Sequence, residues 1–121
     1  MSGHSVLIVE DELLIAMSLE DFLVDEGHSV AGIAHSLSSA FSALQEGKFE
    51  IAILDIDLGN ELVWPFARQL QADNIGYFFL SSDCARGDFP AECRSADQLC
   101  KPFRDDQVRA CLAKFSAARA A

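Results

Sequence analysis

Ile51-Ala52-Ile53-Leu54-Asp55-Ile56-Asp57 is the stretch that decides how this chain folds. Four apolar residues in a row, alternately β-branched at Ile51 and Ile53, read as a strand buried on both faces, the kind found in the middle of a parallel sheet. The strand runs straight into two acids. A carboxylate at the end of a central strand is costly to bury, so its presence there needs a chemical reason. Beyond the acids come the Gly59-Asn60 turn and Pro65, which can serve as the first residue of a short helix carrying Phe66, Ala67 and Leu70.

Working outward, the same grammar repeats on both sides. Val6-Leu7-Ile8-Val9 is a second apolar run that ends in acids, Glu10-Asp11-Glu12. From Glu12 to about Glu26 the residues Ile15, Leu19, Phe22 and Leu23 recur at helical spacing, with acids in the first turn and Gly27 as the stop. A short strand is expected over Ser29 to Ala34, then a helix capped by Ser38 or Ser39, carrying Ala40, Phe41 and Leu44 and closed by Gly47. Downstream, Tyr77-Phe78-Phe79-Leu80 emerges into Ser81-Ser82-Asp83, and Leu99-Cys100 precedes Lys101-Pro102. Val108, Cys111, Leu112 and Phe115 mark a last amphipathic helix between about Arg104 and Ala118. Between Cys84 and Asp97, Gly87 and Pro90 interrupt any regular element, and a loop with a short helix starting at Pro90 is expected.

Strand and helix alternate five times, which argues for an α/β fold with a parallel sheet covered on both faces. In such sheets a ligand sits beyond the carboxyl ends of the strands, where strand order reverses. Glu10 and Asp11 follow the first strand, Asp55 and Asp57 the third, Ser81 the fourth and Lys101 the fifth, so all six point to one rim. Several carboxylates in a small volume repel one another unless a cation lies among them, and an all-oxygen set suits Mg²⁺. A lysine and a hydroxyl beside the metal suggest a phosphoryl group as visitor, because the three together can neutralise its peripheral oxygens. A carboxylate can then be the nucleophile, giving an aspartyl-phosphate.

Leu-Ile-Val-Glu10-Asp11-Glu, Ile-Leu-Asp55-Ile-Asp-Leu-Gly, Phe-Phe-Leu-Ser81-Ser and Lys101-Pro102-Phe103 resemble the four marks of response-regulator receiver domains, in order and across nearly the whole chain. The resemblance implies a flavodoxin-like, doubly wound sheet of order 2-1-3-4-5 with a short or irregular third and fourth helix. It implies Asp55 as phosphoacceptor and Mg²⁺ held by Asp55, by Asp11 directly, by Glu10 through water and by the Asp57 backbone carbonyl. Ser81 and Lys101 would bind the phosphoryl oxygens, and the Lys101-Pro102 bond would be cis. Where the common receiver has a switch aromatic, three residues before the lysine, this chain has Gln98. With the broken fourth-helix region and the short third helix, that departure resembles receivers associated with the HWE group of sensor histidine kinases.

The functional expectation is a single receiver over residues 1–121 without an output domain: a cytoplasmic two-component signalling partner, shuttle or phosphate sink charged by a histidine kinase. Its chemistry would be limited to self-phosphorylation and slow autodephosphorylation. A downstream protein target and a homodimer stay open. Two other classes compete. Asp55-Ile-Asp57 also looks like the signature of haloacid-dehalogenase-type phosphatases, with Asp57 as acid/base, but nothing here resembles a cap over the substrate. The other is a pseudo-receiver used only as a scaffold, against which stands the cost of so acidic a rim.

A formal net charge of −10 opposes binding to nucleic acid or an anionic membrane surface, and no segment reaches the ~18 uninterrupted apolar residues of a membrane span. Met1-Ser2-Gly3-His4 has no signal-peptide character. Cys84, Cys93, Cys100 and Cys111 fit no zinc spacing and read as reduced thiols, with Cys100 and Cys111 in the core and Cys84 and Cys93 nearer the surface. His4, His28 and His35 read as surface or loop residues. Trp64 is either a packed or partner-facing aromatic or a reporter of movement near the acceptor.

Overall fold

The computed structural model describes residues 3–120, with side chains described through residue 115. Five parallel strands make the sheet, β1 (Ser5–Val9), β2 (Ser29–Ala34), β3 (Ile51–Asp55), β6 (Gly76–Ser81) and β7 (Gln98–Cys100), in the order β2-β1-β3-β6-β7. Counting only these five, that is the expected order 2-1-3-4-5. Between β3 and β6, Asp57–Leu58 (β4) and Glu61–Leu62 (β5) form a small antiparallel hairpin around the Gly59-Asn60 turn. Gly59 sits there at φ 70°, a region that disfavours any side chain.

Strand residues alternate between two cores, as a pleat of period two requires. Leu7, Val9, Ala52, Leu54 and Phe79 face one side, with α2 (Leu37–Glu46) and α3 (Trp64–Ala72) supplying Ala40, Phe66, Ala67 and Leu70. Val6, Ile8, Ile51, Ile53, Phe78 and Leu80 face the other, against Leu19 and Leu23 of α1 (Leu13–Asp25) and Val108 and Leu112 of α4 (Asp105–Ala120). All five residues of β3 are buried, as a central strand requires. At Gly76 an added Cβ would lie 2.6 Å from the Phe115 ring, so the missing side chain lets α4 close on the sheet. No helix among the described residues is long and apolar enough to cross a membrane.

Local signals explain most boundaries. Gly47 ends α2 in the left-handed conformation, and Pro65 lies in the first turn of α3, though Trp64 is the helix's first residue. The cap of α2 is Ser36, not Ser38 or Ser39. Its Oγ accepts from the Ser39 backbone N–H while the Ser39 side chain accepts from that of Ser36, a reciprocal pair that consumes the expected cap as its partner. Glu12 stands just before α1, so no acid occupies the first turn. The fourth-helix region shrinks to a single 3-10 turn, Ala91–Cys93, entered through Pro90.

Other expectations fail for tertiary reasons. Cys100 is exposed and disulfide-bonded to Cys84, their Cα atoms 5.7 Å apart, while Cys93 is buried. With no regular helix over the β7 edge, Cys100 lacks a cover, and the 3-10 turn instead tucks Cys93 among the residues of the α2/α3 core. Cys111 is buried as expected. His4 is buried too: its backbone N–H donates to His28 Nδ1 at 2.9 Å, its ring stacks on that of His28, and Glu50 lies 3.5 Å from its Nδ1. This cluster lies at the amino ends of the strands, across the sheet from the acidic rim.

Candidate functional site

Strand order reverses between β1 and β3, and the carboxyl ends of those two strands bring Glu10, Asp11 and Asp55 together. One carboxylate oxygen from each lies within 4.8 Å of the others. Backbone bonds hold the frame: Glu10 N–H to Ala34 O at 2.9 Å, Ile56 N–H to Leu80 O at 3.0 Å and Lys101 N–H to Ser81 O at 2.8 Å. The last of these ties the two residues expected to receive phosphoryl oxygens to each other. The Lys101-Pro102 peptide is cis.

Asp55 and Glu10 are buried, whereas Asp11 is exposed at the lip. Lys101 Nζ lies 3.0 Å from Glu10 Oε1 and 3.3 Å from Asp55 Oδ2, with Glu12 Oε1 at 3.5 Å. Burial above all, then the hydrogen bond and charge of Glu10, push the Asp55 carboxyl up from 3.8 to about 8, with Lys101 opposing. Burial pulls the Lys101 ammonium down, but its bond to Glu10 and the charges of Asp55 and Glu10 outweigh that and leave it raised. The buried Glu10 Oε1 has Lys101 Nζ as its partner, and its Oε2 accepts from the Glu12 backbone N–H at 3.1 Å. A single ammonium cannot balance this many carboxylates.

That shortfall is what a hard divalent cation would make up, so the residues fit Mg²⁺. The clustered carboxylates of Glu10, Asp11 and Asp55 offer only oxygen donors, the set such an ion prefers. Gly59 brings the turn up to Asp11: an added Cβ there would stand 3.9 Å from Asp11 Oδ2, an ordinary contact, so its left-handed φ and not lack of space is what favours glycine.

Ser81 is buried at the end of β6, and its hydroxyl is occupied. Its Oγ donates to the Asp83 carbonyl at 2.9 Å and accepts from the Asp83 N–H at 3.0 Å. Asp57 is half-buried, and its carboxylate does not join the cluster of Glu10, Asp11 and Asp55. It turns instead to Arg86, with Nη1 donating to Oδ2 at 2.9 Å. Gln98, at the switch-aromatic position, has its Oε1 buried without a hydrogen bond.

Arg86 is the residue that sequence reasoning passed over. It lies in the Gly- and Pro-interrupted stretch, and its partner Asp57 is 29 positions away, so no local pattern points to it. Trp64 resolves as packed: it is 8% exposed, edge-on to Phe79 and tilted on Phe89, with the Arg86 guanidinium 5.8 Å from its ring centre.

The sequence matches the family model for the response regulator receiver domain over residues 6–113. Among solved structures, the chain is similar to SdrG from Sphingomonas melonis Fr1 at 36% identity and a TM-score of 0.81, covering 93% of this chain and 97% of that one. It is also similar to the PhyR receiver domain of Erythrobacter litoralis, at 28% identity, TM-score 0.79 and coverage of 94% and 90%. The anti-anti-sigma factor PhyR from Bartonella quintana is 28% identical with a TM-score of 0.80, and there the match spans 99% of this chain but only 52% of PhyR. No curated protein matches the chain. None of these likenesses supports the dehalogenase-type phosphatase reading.

Proposed function

The chain belongs to the response regulator receiver domain family, and from that premise we propose that it is a phosphorelay receiver charged on Asp55 by a histidine kinase. One observation carries the assignment of the acceptor: Asp55 is the buried acid at the end of the central strand, with Lys101 Nζ 3.3 Å away and the Glu10 and Asp11 carboxylates beside it. In the transfer an Asp55 carboxylate oxygen bonds to phosphorus, the bond from phosphorus to the histidine nitrogen breaks, and the electron pair stays on the imidazole.

Glu10, Asp11, Asp55 and the backbone carbonyl of Asp57 would hold Mg²⁺, whose part is to neutralise charge on the phosphoryl oxygens. Lys101 supplies a second positive charge already poised 3.3 Å from the acceptor. To bind phosphoryl, Ser81 must trade the Asp83 carbonyl for a phosphoryl oxygen, a swap of one acceptor for a charged and stronger one. Asp57 is not an acid/base group here, since Arg86 claims its carboxylate.

The donor arrives where the rim meets α1. Leu13, Leu14 and Met17 are 67%, 82% and 48% exposed there, beside a groove of about 570 Å³ lined by Leu14, Ile15, Lys101, Pro102 and Phe103. An apolar face next to the acceptor fits a helical kinase domain carrying the phosphohistidine. A kinase of the HWE type and a cytoplasmic site of action belong to the same proposal. So does a protein target downstream, for which PhyR, named an anti-anti-sigma factor, offers the nearest analogy among these relatives.

Incubation with Mg²⁺ and acetyl phosphate should add the mass of one phosphoryl group to the intact protein, and Asp55→Asn should abolish it. An unmodified wild type, or equal labelling of the variant, would sink the proposal.

A further inference from the structure

Between Ser81 and Gln98 the chain has no regular helix, and one side chain fastens that segment to the rim. Arg86 Nη1 bonds Asp57 Oδ2 at 2.9 Å, while Nε and Nη2 grip both oxygens of Asp88 at 2.7 and 3.1 Å. The guanidinium also lies over Trp64, which Phe79 and Phe89 wedge in place. Only 12% of the Arg86 side chain is exposed, against 45% for Asp57 and 49% for Asp88. A surface pair would dangle; here the fork is fixed on three sides, the geometry in which arginine differs most from lysine.

Asp57 stands two residues past the acceptor, in the hairpin whose Gly59 approaches Asp11. We propose, resting on the reading of Asp55 as phosphoacceptor, that Arg86 is a positioning residue that holds the Asp57 carboxylate out of the path of hydrolytic water and so lengthens the life of the phosphoryl group. In that hydrolysis the water oxygen bonds to phosphorus and the bond from phosphorus to Asp55 Oδ breaks. The electron pair remains on the carboxylate, inorganic phosphate leaves, and the surplus proton passes to an acceptor at the rim. A carboxylate free to turn toward the site is such an acceptor, and it can orient the attacking water. Bonded to Arg86, Asp57 has one oxygen engaged, and it shares the charge of that guanidinium with Asp88.

The test uses the full chain, charged with acetyl phosphate and Mg²⁺, stripped of the donor and followed by intact mass as phosphate is lost. Arg86→Ala should lose phosphate several-fold faster than wild type, and Arg86→Lys should fall between, because one ammonium cannot hold Asp57 and both Asp88 oxygens. In an Asp57→Asn background the Arg86 substitutions should no longer change the rate, and that epistasis is what a merely structural role would not produce. An unchanged or slower rate in Arg86→Ala overturns the proposal, as does an acceleration that persists in the Asp57→Asn background. Should Arg86→Ala fail to fold, the same comparison is read from Arg86→Lys, whose insensitivity would equally overturn it. A wild type that takes up no phosphate removes the acceptor reading itself; a labelled wild type with insensitive Arg86 variants removes only this inference.

Discussion

Asp55 owes its chemistry to the conflict between its charge and its surroundings. Burial and the Glu10 carboxylate favour its protonated form, so between an unfolded value near 3.8 and a folded value of about 8 the native state holds more protons than the unfolded chain. Stability then falls as pH rises through that window. The contribution is complete below pH 3.8 and gone above about 8. Asp55→Asn removes the conflict, and the metal-free variant should melt several degrees above wild type at pH 8, with the gap closing toward pH 5; thermal unfolding across that range checks it. A gap that widened toward acid would contradict the sign. Stored destabilisation of this kind is common where a site is built for reaction more than for stability.

At the scale of elements, the segment from Ser82 to Asp97 separates this chain from a regular five-fold pattern. Its first residues are held three ways: by the Ser81–Asp83 turn, by Arg86 and by the Cys84–Cys100 disulfide across a separation of 16 residues. Closing a loop of that size restrains the unfolded chain by on the order of 3 kcal/mol. Reductant should therefore lower the melting midpoint of wild type, while Cys84→Ser, already lacking the bond, should melt lower and ignore reductant. Equal responses from the two proteins would show that the bond is not formed in solution. The α1 face is the other exposed element of consequence, because Leu13 and Leu14 extend its apolar surface beyond what the core uses.

For the molecule as a whole, charge dominates. A net charge of −10 repels itself, and three of the acids meet at the rim. A cation that binds only the folded rim stabilises the entire domain by mass action, about 2.7 kcal/mol at a hundred times its dissociation constant. Mg²⁺ should accordingly raise the melting midpoint of wild type, and Asp11→Asn should lose most of that increment. An equal rise in both would mean that the ion acts by general screening and not at Asp11.

The strands and the placing of Glu10, Asp11, Asp55, Ser81 and Lys101 at their ends were legible because they rest on local rules: apolar runs of strand length, helix stops at Gly27 and Gly47, and polar residues where each strand ends; the strand order came from the resemblance to receiver domains. Strand ends converge by topology, so a one-dimensional pattern suffices to place the site. The Arg86–Asp57 pair, the burial of His4 and Cys93 and the exposure of Cys100 were not legible, because each depends on what the neighbouring segment does in three dimensions. Hydrophobicity decided which residues form the framework. Only the packed fold decided which charges meet, since an ion pair 29 residues apart leaves no periodic trace in the chain.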